Sequence, residues 1–201
     1  MEESCKILYI NHSSAIQLAL LDLRQFETIS GLSGKRELEK NGALHIIQTV
    51  LKSPAIQLHY QSNGKPYLLN GPKISISHSS DWVGVLFSEG GEEIGLDIEK
   101  IRDKVLSIKH KFLSAIELQE LGSAGVEKYT LYWAVKEAVY KASGIEGLLF
   151  AEEIAIEPFA LKTNSGMIKA MVERKDVEKN FTLRYILQAD HVIVFTVDDQ
   201  E

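Results

Sequence analysis

A single cysteine, Cys5, is the only thiol in this chain, which leaves neither an internal disulfide nor a cysteine-based metal site open to it. Four prolines among 201 residues, and no long tract of Ser, Gly and Pro, argue against a disordered linker. No window approaches the roughly 18 uninterrupted apolar residues of a membrane span, so no membrane partner is expected. Met1-Glu2-Glu3-Ser4-Cys5-Lys6 opens acidic, without the basic start and apolar stretch of a signal peptide, and a cytoplasmic protein is expected. Basic residues are outnumbered, 22 against 28 acids, and the formal charge of −6 speaks against a large nucleic-acid interface. A local basic patch survives this balance: Arg102, Lys104, Lys109 and Lys111 face one acid, Asp103. They suit either a solvated helix surface or an acidic protein partner. What the chain has in quantity is hydrophobic residues, 45%, enough for one large domain or two small lobes.

Extended and helical stretches alternate along it. Cys5–Ile10 reads as a short strand. Ile16, Leu20 and Leu23 recur at helical spacing and predict a helix from Ser14 to Phe26. A second helix is predicted from Lys35 to Leu51, where Ser53-Pro54 stops it. Asn63-Gly64, between Ile56–Gln61 and Pro66–Leu69, is a hairpin signal. Lys73–Ser77, Val83–Phe87 and Ile94–Glu99 read as strands, with Gly90-Gly91 breaking the chain before the last. A basic helix follows, then a short one opened by Ser114 and Glu117 at capping-box spacing. A long helix covers Val126 to Ser143, with Gly144 as its cap. Met167–Glu173, Phe181–Leu187 and His191–Val197 form an antiparallel meander. Both halves run strand, helices, hairpin-linked strands. The expected fold class is α+β, in two similar lobes, 1–91 and 92–201, each a small, mainly antiparallel sheet packed with helices.

Two stretches carry chemistry. In Ile94–Glu99 the strand period of two puts Gly95, Asp97 and Glu99 on one face. Successive carboxylates then lie roughly 7 Å apart along the strand and can converge on one ion, with Gly95 leaving room for a ligand. Alone, the pair reads rather as an exposed acidic strand edge. On the long helix, Leu131, Tyr132, Val135, Ala138, Val139 and Ala142 make a core stripe, and Trp133, Lys136, Glu137, Tyr140 and Lys141 share the opposite side. Glu137 and Lys141 also have the i,i+4 order that supports any exposed helix. Together the stretches supply three carboxylates and two lysines. Magnesium takes a few carboxylates and completes its shell with water and phosphate oxygens, so the combination points to a pyrophosphate substrate.

Gly95-Leu96-Asp97-Ile98-Glu99 followed by Trp133-Ala134-Val135-Lys136-Glu137-Ala138-Val139-Tyr140-Lys141 resembles the signature pair of the 4′-phosphopantetheinyl transferase superfamily. Three further elements resemble its larger, two-lobed class, which activates peptide and polyketide synthetases. They are Gly64-Lys65-Pro66, Ile74-Ser75-Ile76-Ser77-His78-Ser79 (with Ser75 where that class has Asn) and Lys111-Phe112-Leu113-Ser114-Ala115-Ile116-Glu117. All five stand in family order between Gly64 and Lys141.

The resemblance implies a pseudo-twofold fold and a monomer that moves the phosphopantetheine arm of coenzyme A onto a serine of an acidic apo carrier protein. Adenosine 3′,5′-bisphosphate is the implied leaving group and Mg2+ the implied cofactor. Asp97, Glu99 and Glu137 would hold the metal, and Lys141, assisted by Lys136, the pyrophosphate. Ser77 and His78 would lie near the 3′-phosphate or diphosphate, Lys65 near the adenine or a phosphate, and Lys35 and Arg36 near the 3′-phosphate. The 92–201 lobe would thus carry the metal and pyrophosphate, and the 1–91 lobe the adenosine end. Glu137 is the implied base for the serine proton, Glu117 the second choice. The carrier would dock near the basic helix and Phe112. Two other readings use the same residues: a magnesium-dependent nucleotide phosphohydrolase, and a non-catalytic module that binds coenzyme A or a carrier.

Overall fold

A computed structural model describes residues 5–11, 13 and 15–198. The chain divides between Glu92 and Glu93 into two compact units.

In the N-terminal unit, β1 (Ile7–Asn11), β2 (Ile16–Asp22), β5 (Lys73–Ser79) and β6 (Trp82–Ser88) form an antiparallel sheet in the order β1-β2-β6-β5. Strand β2 stands where helical spacing predicts a helix; Ser14, the expected start, lies outside the described residues. Ile16, Leu18, Ala19, Leu20 and Leu21 are all buried, on both faces of the strand. A strand covered on both faces has no reason to alternate, and its apolar run then mimics a helix segment. The chain turns helical only after Asp22, whose side chain accepts from Arg24 N at 2.9 Å and caps α1 (Leu23–Ser30). Helix α2 (Lys35–Val50) packs Leu38, Ala43, Ile46 and Ile47 into the core shared with Ala19, Leu21, Val83 and Val85. The strands β3 (Leu58–Tyr60) and β4 (Pro66–Leu68) pair as the hairpin that Asn63-Gly64 signals, Gly64 taking φ +83° in its turn.

The C-terminal unit is a five-stranded antiparallel sheet in the order β7-β11-β10-β9-β8. Its strands are β7 (Leu96–Lys100), β8 (Ile154–Ile156), β9 (Ser165–Arg174), β10 (Val177–Gln188) and β11 (His191–Val197). The last three form the expected meander, while β8 and the short α6 (Phe150–Glu153) before it had no sequence signal. Between β7 and the long helix α5 (Val126–Ser143) lie α3 (Lys104–Ile108), a single 3-10 turn (Lys109–Lys111) and α4 (Ala115–Leu121). Helix α5 buries Leu131, Tyr132, Val135, Ala138, Val139 and Ala142 in one core with Ile168, Val172, Leu183 and Val194 of the sheet. Gly144 ends it at φ 66°, the left-handed conformation a glycine cap permits. The fold is therefore α+β, with antiparallel sheets each packed by a long helix. Among the described residues no helix is long and apolar enough to cross a membrane.

Candidate active site

Strand β7 and helix α5 bring Asp97, Glu99, Trp133, Glu137 and Lys141 together. Strand β7 is an edge strand paired with β11, with Asp97 opposite Val194 and Glu99 opposite Val192. Helix α5 comes so close to it that a Cβ on Gly95 would stand 1.9 Å from Ala138 O and 2.9 Å from Ala142 N. Gly95 therefore makes room for the helix backbone, correcting the expectation that it clears space for a ligand. Two contacts staple strand to helix. Lys141 Nζ donates to Asp97 Oδ1 at 2.7 Å and to Leu96 O at 2.8 Å, and Trp133 Nε1 donates to Glu99 Oε1 at 2.8 Å. Trp133 reaches Glu99 and Lys141, two helical turns later, reaches back to Asp97, so the helix runs against the strand.

Glu137 lies between these contacts along the helix. Burial, reinforced by the charge of Asp97, pushes its carboxyl up to about 7, with Glu99 adding to the rise and Lys141 opposing it. The Glu99 carboxyl is raised as well, first by burial and then by Asp97, against the Trp133 hydrogen bond, Lys141 and Arg102. The buried Asp97 and the half-buried Glu99 and Glu137 thus repel one another, and Lys141 offsets only part of their charge. As hard oxygen donors they suit a small divalent cation in type and number. Among the described residues, no three His, Cys, Asp or Glu side chains are drawn into one metal-holding cluster. Asp97 and Glu99 are instead engaged by Lys141 and Trp133.

Lys136 has a different place from the one its helix position suggests. It is fully buried, and its ammonium donates to Glu117 Oε2 at 2.7 Å, Phe150 O at 2.9 Å and Ile154 O at 2.7 Å. Burial holds that ammonium below its usual range, with Glu117 opposing. All three of its protons are spent inside the fold, so it does not assist at the carboxylate face. Glu117 is equally committed. Its Oε2 also accepts from Ser114 N at 2.8 Å in the capping box, and its Oε1 accepts from Ile156 N at 3.3 Å. This removes Glu117 as a mobile base. Phe112 and Leu113 are buried too, Phe112 edge-on to Trp133 at 5.2 Å, so neither offers a docking surface. Lys104 and Lys111 are exposed, and so are Leu106 and Ile116 nearby in sequence.

The remaining expected residues lie in the N-terminal unit. A cavity of about 500 Å3 there is lined by Arg36, Glu39, Lys40, Tyr60, His78 and the Gly64 turn. Arg36 and His78 thus line one cavity, whereas Lys35 and Lys65 are exposed outside the lining and Ser77 is buried in β5. Glu39, Lys40 and Tyr60 join the cavity without any motif to announce them. The one sequence signal for Glu39 is its i,i+4 spacing from Lys35, which reads as an ordinary helix pair.

Residues 93–195, the stretch holding β7 and α5, match the family model of the 4′-phosphopantetheinyl transferase superfamily. The chain belongs to this superfamily. It is 35% identical over 108 residues to the 4′-phosphopantetheinyl transferase psf-1 of Bacillus pumilus, covering 50% of this chain and 46% of that one. To the 4′-phosphopantetheinyl transferase Sfp of Bacillus subtilis (strain 168) it is 33% identical over 103 residues, 48% of this chain and 45% of the relative. To an L-aminoadipate-semialdehyde dehydrogenase-phosphopantetheinyl transferase of Eremothecium gossypii it is 32% identical over 103 residues, 44% of this chain and 37% of the relative. The chain spans about half the length of the curated relatives it matches. The family match takes in all five residues of the carboxylate and lysine face and none of the N-terminal cavity.

Proposed function

We propose that this protein is a 4′-phosphopantetheinyl transferase. It moves the phosphopantetheine arm of coenzyme A onto a serine of an acidic apo carrier protein, acting as a soluble, cytoplasmic monomer. The observation that carries the proposal is the trio of buried Asp97 and half-buried Glu99 and Glu137 beside Lys141, inside the segment that matches the superfamily. Asp97, Glu99 and Glu137 would hold Mg2+, which when bound neutralises the pyrophosphate of coenzyme A.

Lys141 binds the same pyrophosphate, its ammonium already aimed at the acidic face by Asp97 and Leu96 O. Trp133 holds Glu99 in position through its indole N–H. The serine oxygen attacks the β-phosphorus, that O–P bond forms as the bond to the α-phosphate oxygen breaks, and adenosine 3′,5′-bisphosphate leaves. The serine proton passes to a Glu137 carboxylate oxygen. Positioning and charge neutralisation supply most of the acceleration in such transfers. The N-terminal unit takes the adenosine 3′-phosphate end of coenzyme A, and the carrier docks on the exposed Lys104 and Lys111 surface with Leu106 and Ile116.

The test is a transfer assay with labelled coenzyme A and a carrier panel. EDTA is expected to abolish labelling and Mg2+ or Mn2+ to restore it, while Asp97→Ala stays inactive with the fold intact. Near-normal labelling by folded Asp97→Ala would sink the metal assignment.

A further inference from the structure

The N-terminal cavity contains a carboxylate that its expected ligand does not ask for. Glu39 of α2 is nine-tenths buried and lines the cavity with Arg36 and Lys40, and its Oε1 is sealed from solvent without a well-formed hydrogen bond. Two cationic or potentially cationic groups approach that oxygen: His78 Nδ1 at 3.1 Å and Lys35 Nζ at 3.7 Å. Lys35 is 74% exposed and one helical turn away, an arrangement worth little to a buried charge. His78 is the nearer group and stands on β5, two residues after Ile76, so both side chains line the cavity. A buried carboxylate left without a donor is costly, and a slight turn of the His78 ring would supply one.

We propose that Glu39 is a positioning residue for His78: it accepts the Nδ1–H, fixes the ring's orientation, and turns Nε2 toward a phosphate held by Arg36 and Lys40. With Nδ1–H committed to Glu39, the ring can donate from Nε2 only as the imidazolium. In the complex the ring would stand between the Glu39 carboxylate on one side and the phosphate on the other. Arg36 and Lys40 outnumber Glu39, so the cavity keeps a net attraction for an anion, while Tyr60 offers an aromatic surface beside it. The assignment of this phosphate to the 3′-phosphate of coenzyme A rests on the function proposed above; the pairing of Glu39 with His78 does not.

Coenzyme A and dephospho-coenzyme A, which lacks only the 3′-phosphate, separate the two. Calorimetric titration of the native full chain should show tighter binding of coenzyme A. Glu39→Gln and His78→Gln should each reduce that preference roughly tenfold, the loss of one charge-assisted hydrogen bond, and the double variant should lose little more. A merely structural loss would lower both affinities together and leave their ratio unchanged. The imidazole 15N resonances of His78, assigned with His78→Gln, should report a protonated, hydrogen-bonded Nδ1 in the native protein that is lost in Glu39→Gln. A preference that stays the same or rises in Glu39→Gln would overturn the inference, a rise meaning that the carboxylate repels the phosphate. Failure of the native protein to bind either ligand would overturn the coenzyme A reading instead, and the imidazole spectrum would then decide the pairing alone.

Discussion

Glu137→Gln should make the metal-free protein more stable and the enzyme inactive, and the size of the gain follows from the site. The Glu137 carboxyl, ordinarily at 4.5, is pushed up to about 7 by burial and by Asp97. The folded protein therefore holds this proton more tightly than the unfolded chain does. Its contribution to stability is complete below about 4.5 and is lost as pH rises through about 7, where the carboxylate ionises beside Asp97 and Glu99. At ~1.4 kcal/mol for each tenfold change in proton affinity, the charge costs on the order of 3–4 kcal/mol above pH 8. Glutamine keeps the shape and removes the charge. Urea unfolding in EDTA should show Glu137→Gln more stable than native by about 3 kcal/mol at pH 8, and indistinguishable from it near pH 4.5. Added Mg2+ should stabilise the native protein and leave the variant unmoved. A variant that is destabilised at pH 8, or a difference that ignores pH, would refute the reasoning that crowded carboxylates strain this site in the absence of a cation.

Two further predictions separate roles that the sequence runs together. Lys136→Ala should destabilise the fold by roughly 3–5 kcal/mol, because Glu117 would be left buried without its ammonium, whereas Lys141→Ala, which removes a partly exposed ammonium, should cost less stability and lose transfer. Circular dichroism melts alongside activity would check this, and a stable but inactive Lys136→Ala would contradict it. Reversal of Lys104 and Lys111 to glutamate should raise the carrier KM with coenzyme A affinity unchanged, and added salt should weaken native carrier binding in the same direction. Unaltered carrier kinetics would return those lysines to a plain solvated surface.

Legibility from sequence followed local physics. The Asn63-Gly64 turn, the Ser114–Glu117 capping box, the Gly144 cap and the apolar stripe of α5 each depend on neighbours within a few residues, and each stands in the structure as read. Strand β2 was illegible because burial on both faces removes the alternation that marks a strand. The burial of Lys136 was hidden because its acceptors, Glu117, Phe150 O and Ile154 O, come from distant parts of the chain. Helical position alone makes Lys136 and Glu137 neighbours of equal standing; tertiary packing sends one into the core and keeps the other at the acidic face. Gly95 shows the same limit: the need for a glycine was readable, but the α5 backbone that imposes it was not. In the N-terminal cavity, Glu39 is 39 residues from the histidine it faces, too far for any motif to connect them.

The central claim is group transfer to a carrier serine, and intact-mass analysis tests it most directly. The purified chain is incubated with coenzyme A, Mg2+ and apo carriers from fatty-acid, polyketide, peptide-synthetase and lysine pathways. The account predicts that at least one carrier gains the mass of a single phosphopantetheine on its serine, with adenosine 3′,5′-bisphosphate released in equal amount. Carriers that all remain unmodified while inorganic phosphate or cleaved coenzyme A accumulates would contradict it.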